Sequence, residues 1–138
     1  MDKALNYLAL AKKGRLIELG EEPVGAVTRA VKARLVIVAS DASDHTWRRA
    51  KSFVAGTEQQ CIRVPFTKEE LGFVVGRTSL AIAALTDAAL AVAFVKALPD
   101  QEKVKDVLAK LEEKAKKLRQ RKDEAKAHQR NVRTGKKK

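Results

Sequence analysis

Cysteine, histidine, proline and aromatic side chains are all scarce in this 138-residue chain, and most of these scarcities remove a class of chemistry. The single Cys61 cannot close an internal disulfide, which implies a reducing, cytoplasmic setting. Its neighbours in an apolar strand offer no base, so it reads as a small buried hydrophobe. The two histidines, His45 and His128, stand in no metal-ligand spacing with each other or with Cys61, so no metal site is expected. The N-terminal stretch lacks the uninterrupted apolar core of a secretory signal. The longest apolar tract, Leu80 to Val95, is too short to span a bilayer and is split by Thr86 and Asp87, so no membrane partner is expected. The three prolines all fall at element boundaries: Pro23 in the first turn of a helix, Pro65 after a strand, and Pro99 where the compact part closes.

Positive charge is abundant. The net charge is +12, and 45% apolar residues supply one core in a chain long enough for one domain and an excess. Residues 1–99 hold 14 Lys or Arg against 10 Asp or Glu, whereas residues 100–138 hold 15 against 7. From Lys114 onward the count is 12 against 2. A basic appendage therefore follows a nearly balanced domain, and polyanions are its natural partners, because each neutralised phosphate releases counterions.

The stretch from Gly14 to Ser43 holds a strand (16–19), a Gly-Glu-Glu-Pro turn, a helix ending near Val31 and a second, wholly apolar strand (35–39), which together make a βαβ candidate. Glu21 and Glu22 suit a helix N-terminus, and Val24, Val27, Thr28 and Val31 share one face. Before it, a helix over 5–13 ends in Lys12, Lys13 and Gly14. After it, Asp44 is the expected N-cap of a helix to about Ala55, with Trp47 and Phe53 as core anchors. A third strand (61–64), a Thr67–Glu70 capping box opening a helix through Val75, a polar loop (76–79), a fourth strand (80–85) and a helix (87–98) complete the series. This alternation predicts a three-layer α/β/α sandwich over residues 1–99 with a four-stranded mixed sheet.

Residues 100–128 read as an amphipathic basic helix, with Val104, Leu111 and Leu118 at heptad spacing and acid-to-base pairs at i, i+4 (Asp106–Lys110, Glu112–Lys116, Glu113–Lys117). Residues 129–138 carry no apolar pattern and read as a disordered basic tail. No catalytic set stands out. Gly72 to Thr78 has three residues between its glycines and Arg77 where a phosphate loop needs Lys, so it reads as a helix end and loop. Neither a cofactor nor a small-molecule substrate is expected.

Gly20 followed by the helix, the Leu-Val-Ile-Val-Ala strand and Ser-Asp-Ala-Ser around Asp41, and then Arg63-Val-Pro-Phe-Thr-Lys-Glu-Glu-Leu-Gly72 with Gly76 and the Ala-rich strand, resembles the bacterial branch of the kink-turn-binding ribosomal protein family (L-seven-A-e-like) over roughly residues 4–98. The resemblance implies an α/β/α sandwich that places the helix after Gly20 in an RNA groove, with the loop before the last strand over flipped-out bases. On this chain those places are Gly20, Glu21 and Glu22, and Arg77, Thr78, Ser79 and Leu80, the last for apolar stacking. Typical members begin that helix Gly-Thr-Asn-Glu with a Lys four positions after the Asn; here Glu21, Glu22, Pro23 and Ala26 stand there. Two carboxylates at the tip repel phosphate.

Lys12, Lys13, Arg15, Arg29 and Lys32 are expected to add backbone contacts around the same end, and Lys114, Lys117 and Arg121 to bring the basic appendage to phosphate. The basic composition together with the resemblance implies a non-enzymatic, ribosome-associated RNA-binding protein for ribosomal or other structured RNA, kink-turns among them. Two other readings stay open: a protein-interaction module pairing through Val104, Leu111 and Leu118, and an accessory RNA-binding partner of a translation or RNA-modifying factor.

Overall fold

The computed structural model describes residues 2–133, with side chains as far as Ala127. Its elements are α1 (Lys3–Lys13), β1 (Ile17–Leu19), α2 (Glu21–Arg29), β2 (Leu35–Val38), α3 (Asp44–Val54), β3 (Gln60–Arg63), α4 (Lys68–Val74), β4 (Ile82–Leu85), α5 (Ala88–Lys96) and α6 (Gln101–Arg133). The mixed sheet has the order β1-β4-β2-β3. β4 runs antiparallel to both of its neighbours, and β3 lies parallel to β2 on the outer edge. Helices α2 and α3 cover one face while α1 and α5 pack together on the other, so the expected sandwich forms. The βαβ candidate is split: β1 and β2 run in the same direction, but β4 is inserted between them.

All four residues of β2 and of β4 are buried, which is why these inner strands read as continuous apolar runs rather than alternating ones. Helix starts follow local chemistry. The Asp2 carboxylate accepts from the Ala4 and Leu5 N–H groups, and the Asp87 carboxylate from Leu90 N–H. The Thr67–Glu70 capping box is present in both directions. Ser43, one residue before the expected Asp44, caps α3 through Thr46 N–H, because its shorter side chain sits on the extended residue.

Three expectations shift. Val31 is 55% exposed rather than in the core face of α2, because the helix stops at Arg29 and Val31 holds a left-handed φ of 56°. Lys32 N–H closes on the Val27 carbonyl and Val31 N–H on Thr28, a Schellman turn with valine in the position glycine usually takes. Arg15 (φ 58°) does the same after α1, with Leu16 N–H closing on Ala11, so Gly14 itself is not the left-handed residue. Gly25 lies against Phe53, where a Cβ would stand 3.2 Å from the ring. Trp47 and Phe53 are only half-buried, since Ala50 alone of α3 is fully enclosed; Lys51 and Arg63 cover Trp47, and Arg49 covers Phe53.

The C-terminal helix docks on its own domain. Val104 and Leu111 are buried and Val107 and Leu108 half-buried, with α6 running back antiparallel along α5 and beside β3. Only the Glu113–Lys117 pair of the three expected i, i+4 pairs appears among the described residues; Glu112 instead reaches Lys96 on α5 at 3.3 Å. The helix continues to Arg133, and of the tail expected over 129–138 residues 134–138 lie outside the described part.

Candidate nucleic-acid interface

At one end of the sheet, the exits of β1, β2 and β3 meet the entry of β4. Gly20 follows β1 and donates its N–H to the Ile82 carbonyl at 3.0 Å, which ties the start of α2 to the start of β4. Its φ of 98° suits glycine. Glycine has no side chain to cap α2 and Pro23 has no N–H, so the Glu21 and Glu22 N–H groups are the ones left without a side-chain cap. A Cβ at Gly20 would stand 3.8 Å from an Arg77 guanidinium nitrogen, so the arginine lies across the helix start.

Arg77 is held by its backbone. The turn after α4 brings Arg77 N–H to the Gly72 carbonyl at 2.8 Å, and Leu80 N–H to the Lys68 carbonyl at 2.9 Å. A Cβ on Gly72 would sit 2.7 Å from the Arg77 carbonyl oxygen, so glycine is what permits the loop to lie on the helix. The Asp41 carboxylate accepts from Lys68 N–H at 2.8 Å and thereby fixes the β2–α3 loop to the start of α4. Arg77, Thr78 and Ser79 are exposed.

Leu80 is not available for stacking. It is 3% exposed and belongs to the core, two residues before β4 begins rather than within the strand expected over 80–85, and its N–H is held by the Lys68 carbonyl. The exposed apolar side chain of this region is Phe73, 75% accessible on the outer face of α4. Helical spacing carries the signal for it: Leu71, Gly72 and Val75 turn inward, which leaves Phe73 outside.

Glu21 and Glu22 do begin α2, but they differ. Glu21 pairs with Arg49 of α3 at 3.3 Å, which draws one of the two carboxylates toward α3 and offsets its charge. Both groups of this pair are nearly half exposed, so the pairing adds little stability.

The remaining expected cations do not surround this tip. Lys12, Lys13 and Arg15 precede β1, and Lys32 precedes β2, so strand direction places them at the opposite end of the sheet. About four residues of strand, roughly 13 Å, intervene. Arg29 folds back along α2, one guanidinium nitrogen 3.3 Å from where a Gly25 Cβ would stand. On α6, Lys114 pairs with Glu58 at 3.5 Å and Lys117 with Glu113 at 3.3 Å, while Arg121 is exposed.

Two further points bear on chemistry. Burial pushes the Cys61 thiol up from its ordinary range, against a smaller opposite pull from Lys51, which keeps it protonated at neutral pH. Among the described residues no group of three or more His, Cys, Asp or Glu is placed to hold a metal, and no helix is long and apolar enough to cross a membrane.

No family model matches the sequence. Over 75 residues, 54% of this chain and 72% of the relative, the sequence is 33% identical to the RNA-binding protein YlxQ of Enterococcus faecium. Among solved structures, the chain is similar to a protein of unknown function from Bacillus halodurans, with a TM-score of 0.67, 24% identity, and coverage of 72% of this chain and 100% of that one. It is also similar to the 15.5 kD RNA-binding protein of Giardia lamblia, with a TM-score of 0.60, 18% identity, and coverage of 76% and 87%. The two structural likenesses establish the fold.

Proposed function

Because this chain belongs to the family of the RNA-binding protein YlxQ, the bacterial, L-seven-A-e-like branch of the kink-turn-binding ribosomal proteins, we propose that it is a non-enzymatic binder of structured RNA, associated with the ribosome, that grips a sharply bent RNA at its Gly20 tip. The observation that carries this reading is the guanidinium of Arg77 lying across an uncapped helix start. Open N–H donors and a cation there offer one phosphate a charge-assisted grip. Thr78 and Ser79 follow Arg77 in the same exposed loop, and Phe73 is exposed on α4 just before it, which supply hydrogen-bonding groups and an apolar face for an unstacked base.

Glu22 opposes this grip. Its carboxylate has no ion-pair partner among the described residues, unlike that of Glu21. The tip therefore favours backbone shape over base-edge reading, and the basic appendage from Lys114 adds sequence-independent phosphate binding.

Titrating the purified chain against a kink-turn hairpin and a straight hairpin of equal length, at fixed salt, tests the reading. A preference of about tenfold for the bent RNA is expected, and Arg77→Ala removes most of it, as loss of one charge-assisted contact requires. Equal affinity for both hairpins overturns kink-turn recognition. The triple change Glu22→Asn, Pro23→Glu, Ala26→Lys strengthens hairpin binding if the tip is the contact surface. For the appendage, a chain ending at Lys122 retains the docked apolar face. If the removed part engages about five phosphates, the dependence of log K on log salt becomes shallower by roughly four units.

The alternative of pairing through Val104, Leu111 and Leu118 loses its surface, because the first two are buried against the chain's own domain and Leu118 lines a cleft with Arg34 and Ala88.

A further inference from the structure

Four cations that the tip does not use gather at the other end of the sheet. The Thr86 N–H donates to the Leu16 carbonyl at 2.9 Å, and the Arg34 N–H to the Leu85 carbonyl at 2.8 Å. Arg15, before β1, and Arg34, before β2, therefore flank the exit of β4. They are two strands apart, about 10 Å. The docked α6 brings two more: Arg34, Arg119 and Lys122 line one cleft of about 320 Å³ with Thr86, Asp87 and Leu118.

Among the described residues the one carboxylate lining this cleft is Asp87, whose Oδ2 accepts from Leu90 N–H at 2.9 Å and caps α5, and it faces three cations. Lys114 and Lys117 on neighbouring turns carry ion pairs, whereas Arg15, Arg34, Arg119 and Lys122 have no carboxylate within ion-pair distance among the described residues. Arg15 also occupies a left-handed backbone position where glycine is unstrained. A broad array of unpaired cations suits the spaced phosphates of a double helix. Among the described residues no aromatic side chain lines the cleft, so unpaired bases would find nothing there to stack on.

We propose that this end is a second RNA-binding surface that takes the phosphate backbone of a double-stranded segment, so that one chain holds a bent element at its tip and a duplex at its far end. The proposal rests on RNA being the ligand of the tip and adds a separate place and a separate RNA shape. It also accounts for the direction of α6. The helix starts at Gln101 beside the exits of β2 and β3 and runs to the far end, so Arg119 and Lys122 lie at the end of the sheet away from Gly20.

The test uses the full-length chain with two labelled probes, a plain 16-base-pair RNA duplex and a kink-turn hairpin. Arg119→Glu with Lys122→Glu alters two exposed side chains on the outer part of α6, so circular dichroism is expected to be unchanged. The double variant lowers duplex affinity about tenfold or more, from the loss of at least one phosphate contact at moderate salt, and leaves hairpin affinity within about twofold. Arg15→Glu in addition lowers duplex affinity further, and Arg77→Ala weakens the hairpin alone. Unchanged duplex binding in the double variant overturns the proposal, as does an equal loss for both probes, which would mean a single shared surface. A chain that retains no duplex at all also overturns it, and points to an acidic protein as the occupant of the cleft. If the wild-type chain shows no preference for the bent hairpin while the double variant still loses the duplex, the tip reading fails and the far-end surface stands.

Discussion

The two ends of the sheet are built from the same strands and differ in how they handle charge. At the tip, one arginine is laid over an uncapped helix start by a loop whose position depends on a glycine, and two glutamates stand beside it. At the far end, Arg34 from the entry of β2 meets Arg119 and Lys122 of α6 in one cleft, with Arg15 two strands away, and none of the four is in an ion pair among the described residues. The tip is a small, backbone-defined site; the far end is a broad, side-chain-defined one. Shape recognition depends on the first kind of construction, because backbone N–H groups do not move, and salt-sensitive affinity on the second, because long cationic side chains adapt.

Breaking one end at a time sharpens the contrast. The largest effect is expected from Leu111→Asp, which puts a carboxylate into the buried seam that docks α6. A loss of about 4 kcal/mol in denaturant unfolding follows from the lost packing and the unpaired charge. An unchanged midpoint would mean that α6 is not anchored there in solution. Gly72→Ala acts at the tip: the added Cβ meets the Arg77 carbonyl at 2.7 Å, and the loop has to shift. Overpacking of this kind costs about 2 kcal/mol, and hairpin affinity is expected to fall while duplex affinity holds.

Gln59 links the far end internally. Its amide accepts from Ala33 N–H at 3.0 Å and donates to the Thr28 carbonyl at 3.1 Å, 6% exposed. Gln59→Ala strands both partners and costs about 1–3 kcal/mol, with hairpin binding at the tip unaffected. The smallest effect is a gain. Val31→Gly relieves a left-handed valine at the cost of unfolded-state entropy, and thermal denaturation is expected to show a net stabilisation of about 0.5–1 kcal/mol. No gain would mean that the turn after α2 relaxes without strain.

The order of elements was legible in the sequence because its signals are local. Thr67 and Glu70 form the expected box, Asp87 caps α5, and the inner strands announce themselves as apolar runs. The tip was legible through Gly20, whose backbone is unusual whatever surrounds it. Leu80 was expected to be open for stacking and is buried, which depends on how the chain after α4 packs on the core, while Phe73 was not singled out although the helical spacing of Leu71, Gly72 and Val75 points it outward. Gln59 gave no signal at all, since its partners lie 26 and 31 residues away.

Composition, periodicity and capping chemistry by themselves determined that this protein would be a small α/β/α domain with a basic helix after it. Those properties arise within a few residues along the chain, where hydrogen bonding and side-chain spacing act. The tertiary structure alone decided that β4 enters between β1 and β2, that Val104 and Leu111 are covered by their own domain, and that Lys12, Lys13, Arg15 and Lys32 stand away from Gly20. Each of these depends on strand direction and on burial between distant segments. A cation's place on the surface is set by where its backbone ends up, and charge alone carries no information about that.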